Sequence, residues 1–203
     1  MHLELLVEEP SAEAALAKIL PKIINDRHTF TIHTFQGKQD LLAKLPNRLK
    51  GYKPWMSADM RIVVLVDRDR EDCHSLKDQI EMIAIDAGLV TKSRPHRSRS
   101  FQIVNRLAIE ELEAWLFGDV EAMKAAYPRI PPTLAERERY RDPDAIIGGT
   151  WEALEKVLKD AGYYKAGMPK IEVARNISQH MNPDRNSSNS FRMFREGIMA
   201  CIS

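Results

Sequence analysis

The sequence predicts an α/β fold in which a mostly parallel central sheet of about four strands is flanked by helices and followed by a helical C-terminal subdomain. Short β-rich runs alternate with helical patterns through the first half of the chain, and this alternation is typical of parallel strands joined by right-handed crossovers. The chain has 203 residues, of which 44% are hydrophobic and 29% charged. This composition is that of a globular protein and excludes disordered, collagen-like and coiled-coil chains.

Four runs in the first half of the chain are predicted to be strands. Residues 3–7 form the first, and residues 28–35, which are rich in Thr, Phe and Ile, form the second. Residues 61–67 contain five consecutive apolar residues, mostly β-branched, which suits a central parallel strand covered on both faces. Residues 101–104 form the fourth predicted strand.

The helices predicted between and after these strands follow from apolar residues at spacings of three and four. The first begins at Ser11, and Pro21 inside it is expected to kink or shorten it. The second covers residues 38–49 and ends near Gly51, and the third covers residues 71–87. A fourth helix is predicted from the apolar stripe of Ile109, Leu112, Trp115 and Leu116.

The second part of the chain has a different character from the first. It begins with a stretch of Pro, Gly and mixed charges without clear periodicity, and three helical patterns follow. We therefore expect residues 1–118 to form an α/β core and residues 119–203 to form a helical C-terminal subdomain packed on that core. The three helical patterns cover residues 151–161, 169–180 and about 190–200.

Charge and cysteine content restrict the environment of the protein. Thirty Lys and Arg against 29 Asp and Glu leave a formal net charge of +1, so the chain lacks the basic excess of a dedicated nucleic-acid coat protein. Cys73 and Cys201 cannot build a disulfide framework and lack zinc-site spacing, which predicts a reducing, cytoplasmic environment. The N-terminus has no signal-peptide pattern, and no apolar run approaches the ~20 residues of a membrane span, so no membrane association is expected.

Acidic residues follow three of the predicted strands, at the edge where open parallel sheets place their ligands. If the extended conformation persists past Asp67, the carboxylates of Asp67 and Asp69 point to the same side, and Glu8 from a neighbouring strand completes a cluster. Such carboxylates repel one another, and Mg²⁺, or Mn²⁺ in its place, removes that repulsion by binding their oxygens. The competing interpretation is that Asp67 or Asp69 caps the following helix. The three acidic groups are Glu8-Glu9, Asp67-x-Asp69 and Glu110-Glu111-x-Glu113.

The third acidic group lies on a predicted helix, beside the buried stripe of that helix. The spacing of Glu110, Glu111 and Glu113 therefore favours a solvated acidic shoulder, which the helix dipole stabilises near a helix N-terminus.

A basic loop precedes the fourth predicted strand. Lys92, Arg94, Arg97 and Arg99 lie in it together with His96 and no acidic residue. We expect these side chains to contact a phosphate backbone, because an acidic site needs nearby positive charge to admit a polyanion. The alternative is a solvated loop that balances local acidity.

Taken in order along the chain, these motifs resemble a known family. The turn from Val7 to Ser11 and residues 66–69 (VDRD) resemble the TOPRIM arrangement of one Glu after the first strand and Asp-x-Asp after the third. More closely, the chain resembles a TOPRIM-like domain-of-unknown-function family, family 4276, often associated with ATPases in bacterial anti-phage systems. The resemblance covers most of the chain through the stretches LLVEEPSAEAAL, FQGKQDLLAKLP, RIVVLVDRDRED, AIEELEAWLFGD and GYYKAGMPKIEVARNISQHMNPDRNSSNSF.

The resemblance implies a TOPRIM-like sandwich and a Mg²⁺-dependent nuclease that hydrolyses phosphodiester bonds in DNA or RNA. It also implies a role as a defence effector that acts with an ATPase partner. A non-catalytic or regulatory interaction module of an ATPase-containing complex is the second interpretation, and a phosphoryl-accepting receiver domain is the third. The sequence is compatible with a homo-oligomer.

The resemblance assigns roles to individual residues. Glu8 takes the position of the TOPRIM glutamate, which binds metal or acts as a general acid or base. Lys165 resembles a tail lysine that stabilises charge at the scissile phosphate. Glu9 departs from the Gly that is common at this position in broader TOPRIM proteins, although the second acid fits the nearer family. The residues implied as ligands are Asp67 and Asp69 for Mg²⁺ and Glu111 and Glu113 for a second metal ion.

Overall fold

The computed structural model describes residues 1–97 and 100–203 and contains a four-stranded sheet in which every strand pair is parallel. The predicted α/β class with a parallel sheet, flanking helices and C-terminal helices is therefore confirmed. The strands are β1 (His2–Val7), β2 (Thr29–Thr34), β3 (Met60–Asp67) and β4 (Ile103–Ala108), in the spatial order β2-β1-β3-β4.

Eight α-helices surround the sheet within the described residues. None of them combines the length and the apolar character needed to cross a membrane. Helices α1 (Pro10–Ile23), α2 (Lys38–Tyr52) and α3 (Cys73–Asp86) connect successive strands. The helices after β4 are α4 (Glu113–Phe117), α5 (Val120–Ala126), α6 (Thr150–Asp160), α7 (Lys170–His180) and α8 (Asn189–Ile202).

Side chains alternate between the two faces of the sheet, and each face is covered by its own apolar layer. Leu3, Leu5 and Val7 of β1 pack with α1 and with the helices that follow β4, whereas Leu6 packs with α2 and α3. The apolar run of β3 is buried on both faces, as its sequence predicts. Because fully burying one aliphatic side chain contributes roughly 1.5–3 kcal/mol, these two layers supply the main driving force for the fold.

The fourth strand differs from its prediction. It covers Ile103–Ala108 instead of residues 101–104, and the helix after it forms only beyond a turn. Polar Asn105 interrupts the apolar pattern, but its Nδ2 donates a hydrogen bond to Glu81 Oε1 on α3 at 3.0 Å. Because Asn105 has a hydrogen-bond partner far away in the sequence, it can be buried, and β4 continues past the point at which the local pattern predicts its end.

Two helices also depart from their local patterns. Helix α1 contains Pro21, which lacks an N–H donor, and ends two residues later at Ile23. Helix α5 occupies Val120–Ala126, where no helix is predicted from the sequence. Asp119 begins α5 by accepting a hydrogen bond from the backbone N–H of Ala122, and Ala122 and Met123 are buried in the core.

Lys22 in the last turn of α1 joins the two parts of the chain. Its Nζ donates hydrogen bonds to the carbonyl oxygens of Ser178, Gln179 and Met181 at 3.1, 2.6 and 2.8 Å. These carbonyls lie at the C-terminal end of α7, where a helix lacks internal donors and where its dipole favours a cation. A side chain from α1 therefore caps α7 and fixes the position of that helix on the sheet.

Candidate functional site

The carboxyl ends of three neighbouring strands bring acidic residues together. In the parallel register, Val7 of β1 lies beside Leu65 of β3, and Asp67 of β3 lies beside Ala108 of β4. Glu8 therefore follows β1 next to the end of β3, and its Oε1 accepts a hydrogen bond from the backbone N–H of Asp67 at 2.6 Å. The sheet thus places Glu8 and Asp67 in direct contact at one edge.

The carboxylates at this edge are held away from water, and burial disfavours their charged forms. Glu8 is 9% exposed, and Glu113, the first residue of α4, is 1% exposed. Burial raises the pKa of Glu8 to about 7 and the pKa of Glu113 to about 7 as well. Burial and the adjacent charge of Glu8 raise the pKa of Asp67 well above its usual value. Several carboxylates can be buried this close together only if some of them are protonated or a cation lies nearby.

One nearby cation is Lys170, the first residue of α7. Its Nζ lies 2.5 Å from Glu9 Oε1 and 3.6 Å from Glu113 Oε1, and 5.3 Å from the centre of the Trp151 ring. Burial lowers the pKa of Lys170, but the carboxylates of Glu113 and Glu9 outweigh that effect and raise it. The fold therefore places a protonated lysine among the carboxylates.

The sequence prediction does not include Lys170, although one signal points to it. A lysine opens α7 directly after Pro169, whereas the helix dipole disfavours a cation at a helix N-terminus. A residue that breaks a local rule in this way usually has a tertiary reason. Here the reason is the pair of carboxylates from Glu9 and Glu113, which lie far from Lys170 in the sequence.

Asp69 is engaged by a different lysine. Its backbone φ is 51°, in the left-handed region, so the extended alternation ends before this residue. The carboxylate of Asp69 pairs with Lys38 Nζ at 2.7 Å, and Lys38 also contacts Glu71 at 2.8 Å. Asp67 thus adjoins Glu8, while Asp69 ties the end of β3 to the start of α2.

The helix after these two aspartates is capped by another residue. Asp72 is the N-cap of α3, and its side chain accepts a hydrogen bond from the backbone N–H of Ser75 at 2.8 Å. The alternative in which Asp67 or Asp69 caps this helix is therefore wrong, because the helix begins later than the sequence pattern suggests.

The third acidic group consists of Glu110, Glu111 and Glu113 and is predicted to be solvated. This prediction fits Glu110 but not Glu113. Glu110 pairs with Arg68 at 2.9 Å on the partly exposed surface. Glu113 is buried instead, because the chain turns between β4 and α4 and places this side chain near Lys170. Within the described part of the chain, Glu113 Oε2 is buried without a hydrogen-bond partner.

Glu111, the other residue implied for a second metal, holds a helix in place. Its Oε2 accepts hydrogen bonds from Thr150 Oγ1 at 2.8 Å and from the backbone N–H of Trp151 at 2.9 Å. The carboxylate therefore satisfies a free N–H group at the start of α6, where the helix dipole also favours negative charge. This contact positions Trp151, whose ring lies beside Lys170.

Lys165, the tail lysine implied by the resemblance, is exposed between α6 and α7. Over the residues that the structure describes, the lysine contacts of the buried carboxylates come from Lys170 and not from Lys165. The fold thus brings Lys170 to the carboxylates and leaves Lys165 at the surface.

The predicted basic loop lies at the opposite end of the sheet. The backbone N–H of Lys92 donates to the carbonyl of Ile103, the first residue of β4, so the loop stands at the amino ends of the strands. Within the loop Arg94 pairs with Asp78 at 3.0 Å, and Arg97 is exposed. Arg99 lies outside the described residues.

The donors at the acidic edge fit a divalent metal ion by their chemistry. Carboxylate oxygens are the ligands that Mg²⁺ and Mn²⁺ prefer, and the buried Oε2 of Glu113 has no hydrogen-bond partner in the described chain. In the observed arrangement, no group of three or more His, Cys, Asp or Glu residues among those described is placed to hold a metal ion. Glu8 uses one oxygen on the Asp67 N–H, and Lys170 neutralises part of the charge. The carboxylate oxygens therefore suit a metal ion, and Lys170 competes with a metal ion for them.

Comparison with protein families places most of the chain in one family. A family model described as a domain of unknown function (DUF4276) matches residues 7–199. The chain belongs to this family. The matched DUF4276 segment includes Glu8 at one end and Lys170 toward the other, so the buried carboxylates and their lysine all lie within the shared domain. Comparison with curated proteins and with solved structures gave no match.

Replacing Glu111 by Ala is expected to lower the free energy of unfolding by about 1–2 kcal/mol, because the start of α6 loses its acceptor. Urea unfolding followed by circular dichroism measures this change. Glu110→Ala is the matched control, since its partly exposed pair with Arg68 contributes only about 0–1 kcal/mol. An equal or smaller loss for Glu111→Ala would contradict the capping role.

Proposed function

We propose that this protein is a metal-dependent nuclease that hydrolyses phosphodiester bonds in DNA or RNA. The observation that supports this proposal is the convergence of Glu8, Asp67 and Glu113 at the carboxyl edge of a parallel sheet, where such folds bind their ligands. Buried carboxylates with raised pKa values are more typical of functional sites than of structural ones.

Glu8, Asp67 and Glu113 are the residues that would hold the metal ion, Mg²⁺ or Mn²⁺, once their side chains shift from the observed arrangement, in which no three such ligands among the described residues are placed to hold it. When bound, such an ion supplies Lewis acidity toward a phosphoryl oxygen and lowers the pKa of water. The protein contributes fixed positions, because the Asp67 N–H holds Glu8 in one orientation. It also contributes a low-dielectric setting around Glu113, in which each charge interaction is stronger than in water.

Lys170 gives the acidic edge the positive charge that an anionic substrate requires. Its side chain is 29% exposed and so reaches the solvent as well as Glu9. In this proposal the ammonium group exchanges the carboxylate of Glu9 for a phosphate oxygen, with which it forms a charge-assisted hydrogen bond. The same group then stabilises charge that develops on the phosphate during hydrolysis.

An ATPase partner and a role in anti-phage defence belong to the proposal through the family resemblance described above. The metal ion and the polyanion substrate, by contrast, are proposed from the residues at the acidic edge. The nuclease activity and the partner are therefore tested separately, and each assay below is run on the protein alone and with any ATPase encoded beside it.

Asp67→Asn is expected to lower cleavage in Mg²⁺ or Mn²⁺ by at least about a hundredfold, because it removes an anionic oxygen at nearly constant shape. The measurement is the rate of cleavage of labelled single-stranded and duplex DNA and RNA. Asp160→Asn is the matched control, since it removes an exposed carboxylate that pairs with Lys156 on α6. Full activity in a folded Asp67→Asn protein would overturn the site assignment, and no cleavage by the wild type would overturn the function.

Lys170→Met is expected to slow cleavage at least about tenfold and more than Lys165→Met does, because Lys170 is the lysine in contact with the carboxylates. Both variants are compared in the same cleavage assay. Lys124→Met, which breaks an exposed pair with Glu121 on α5, controls for the loss of a lysine. A larger effect of Lys165→Met would assign the role to the tail lysine that the resemblance implies.

A non-catalytic interaction module is the second candidate, and the direct pairing of Lys170 with Glu9 favours it, because that pairing offsets buried charge without a metal. Calorimetric titration with Mg²⁺ and Mn²⁺ separates the two candidates. A nuclease site is expected to give one saturable binding event that Glu113→Gln weakens at least about tenfold. A module is expected to give no specific binding, and that outcome would replace the nuclease proposal.

A further inference from the structure

Helix α2 and the turn after it carry a concentration of positive charge that the chain as a whole lacks. Residues 38–55 contain five basic side chains and one acidic one, whereas the whole chain has a formal net charge of +1. A cluster of basic side chains along one helix is the electrostatic footprint of a polyanion partner. The basic residues are Lys38, which is half-buried, and Lys44, Arg48, Lys50 and Lys53, which are exposed.

A groove runs between α2 and the edge strand β2. It consists of two adjoining cavities of about 320 and 590 Å³ that share His33 and Arg48 in their walls. The first cavity extends to Trp55 beyond the end of α2, and the second extends to Gln36 before its start. The groove therefore follows the length of the helix, with Lys44 and Arg48 along it.

One end of the groove is formed by an exposed aromatic ring. Trp55 is 59% exposed, and the centre of its ring lies 5.0 Å from that of Tyr52. The guanidinium group of Arg48 lies over the Tyr52 ring, 5.2 Å from its centre. An exposed aromatic face beside a guanidinium group offers a platform for a nucleobase and a donor for a phosphate.

A buried carboxylate organises the wall of the groove. Glu4, which is 8% exposed, accepts hydrogen bonds from Tyr52 Oη at 2.9 Å and from His33 Nε2 at 2.5 Å. Arg48 Nη2 lies within hydrogen-bond distance of His33 Nδ1, at 3.0 Å. Because Arg48, His33 and Tyr52 are fixed before a ligand arrives, little conformational entropy is lost on binding.

The groove leads to the candidate site. Gln36 lines its end, and the next residue, Gly37, donates its backbone N–H to the carbonyl of Glu8 at 2.9 Å. Lys38 follows and pairs with Asp69 at 2.7 Å. A chain-like ligand that lies along α2 would therefore arrive at the acidic edge of the sheet.

We propose that this groove binds single-stranded nucleic acid, with a base stacked on Trp55 and phosphates held by Lys44 and Arg48. The inference rests on the proposed function, because it names the form of the substrate and the path that leads it to the carboxylates. A single strand fits better than a duplex, since stacking on a protein ring requires a base face that a paired helix hides.

The length of the groove matches a short strand. Helix α2 has 15 residues and therefore spans about 22 Å at 1.5 Å per residue. A stacked strand advances about 3.4 Å per nucleotide, so the groove accommodates about six nucleotides. This length lies within the range of about 4–16 nucleotides that single-strand-binding folds contact.

The test measures binding separately from cleavage. The fluorescence anisotropy of labelled oligothymidine, oligouridine and a duplex is recorded in EDTA, so that no strand is cut. Trp55→Ala is expected to raise the Kd for single strands at least about fivefold, because a base loses its platform, whereas Trp55→Phe keeps most of the affinity. Lys44→Gln is expected to reduce the slope of log Kd against log salt by about 0.7, the value for one phosphate contact on a single strand.

Lys156→Gln is the matched control. Lys156 pairs with Asp160 on α6 as Lys44 pairs with Asp40 on α2, and the two lysine side chains are 59% and 60% exposed. This control is expected to change neither the Kd nor its salt dependence. The inference is overturned if the wild type binds no single strand, if it binds the duplex more tightly, or if Trp55→Ala and Lys44→Gln bind as the wild type does.

The proposed function can fail independently of this inference. One outcome is that single strands bind with the expected dependence on Trp55 and Lys44 while no nucleic acid is cleaved in Mg²⁺ or Mn²⁺. That result supports the binding groove and contradicts the nuclease proposal. If strands are cleaved while both variants retain wild-type Kd values, the nuclease proposal stands and the groove is not the path of the substrate.

Discussion

Burial of like charge where β1 and β3 end is the constraint on which the rest of the structure depends. Glu8 accepts a hydrogen bond from the Asp67 backbone N–H, and its charge raises the pKa of the Asp67 carboxyl. An uncompensated buried charge costs several kcal/mol. Protonation offsets part of that cost, as the raised pKa values of Glu8 and Asp67 indicate. Cations offset the rest: the charge of Lys38 favours ionised Glu8, and Lys170 of α7 pairs with Glu9 and Glu113 at this edge.

The helices after β4 are therefore part of the site and not an addition to it. Glu111 caps α6 and so places Trp151 beside Lys170, and Lys22 of α1 holds the opposite end of α7. The acidic side chains come from residues 1–118, and the lysine that neutralises them comes from residues 119–203. Neither part of the chain contains all of these residues. The hydrophobic layer on that face of the sheet is likewise formed by both parts.

Most of the fold could be predicted because the relevant interactions repeat along the chain. Alternating strand and helix patterns determine the parallel sheet, and the apolar run of β3 determines its central position. The prediction fails where a residue depends on a distant partner. Asn105 in β4 is buried with a hydrogen bond to Glu81 on α3, and Asp119 at the start of α5 pairs with Arg185, far along the chain. Local periodicity carries no information about either interaction.

The residues of the candidate site also divide into those that the sequence predicts and those that it does not. Glu8 and Asp67 could be predicted because the ends of adjacent parallel strands must lie together, whereas Lys170 depends on how a later helix docks. The near-zero net charge of the chain conceals a separation, with acidic side chains at the carboxyl edge of the sheet and basic ones along α2. An evenly basic surface would hold nucleic acid anywhere upon it. In the proposed function, a basic groove that ends at buried carboxylates instead favours one direction of approach and would bring a polyanion to the residues proposed to bind a metal ion.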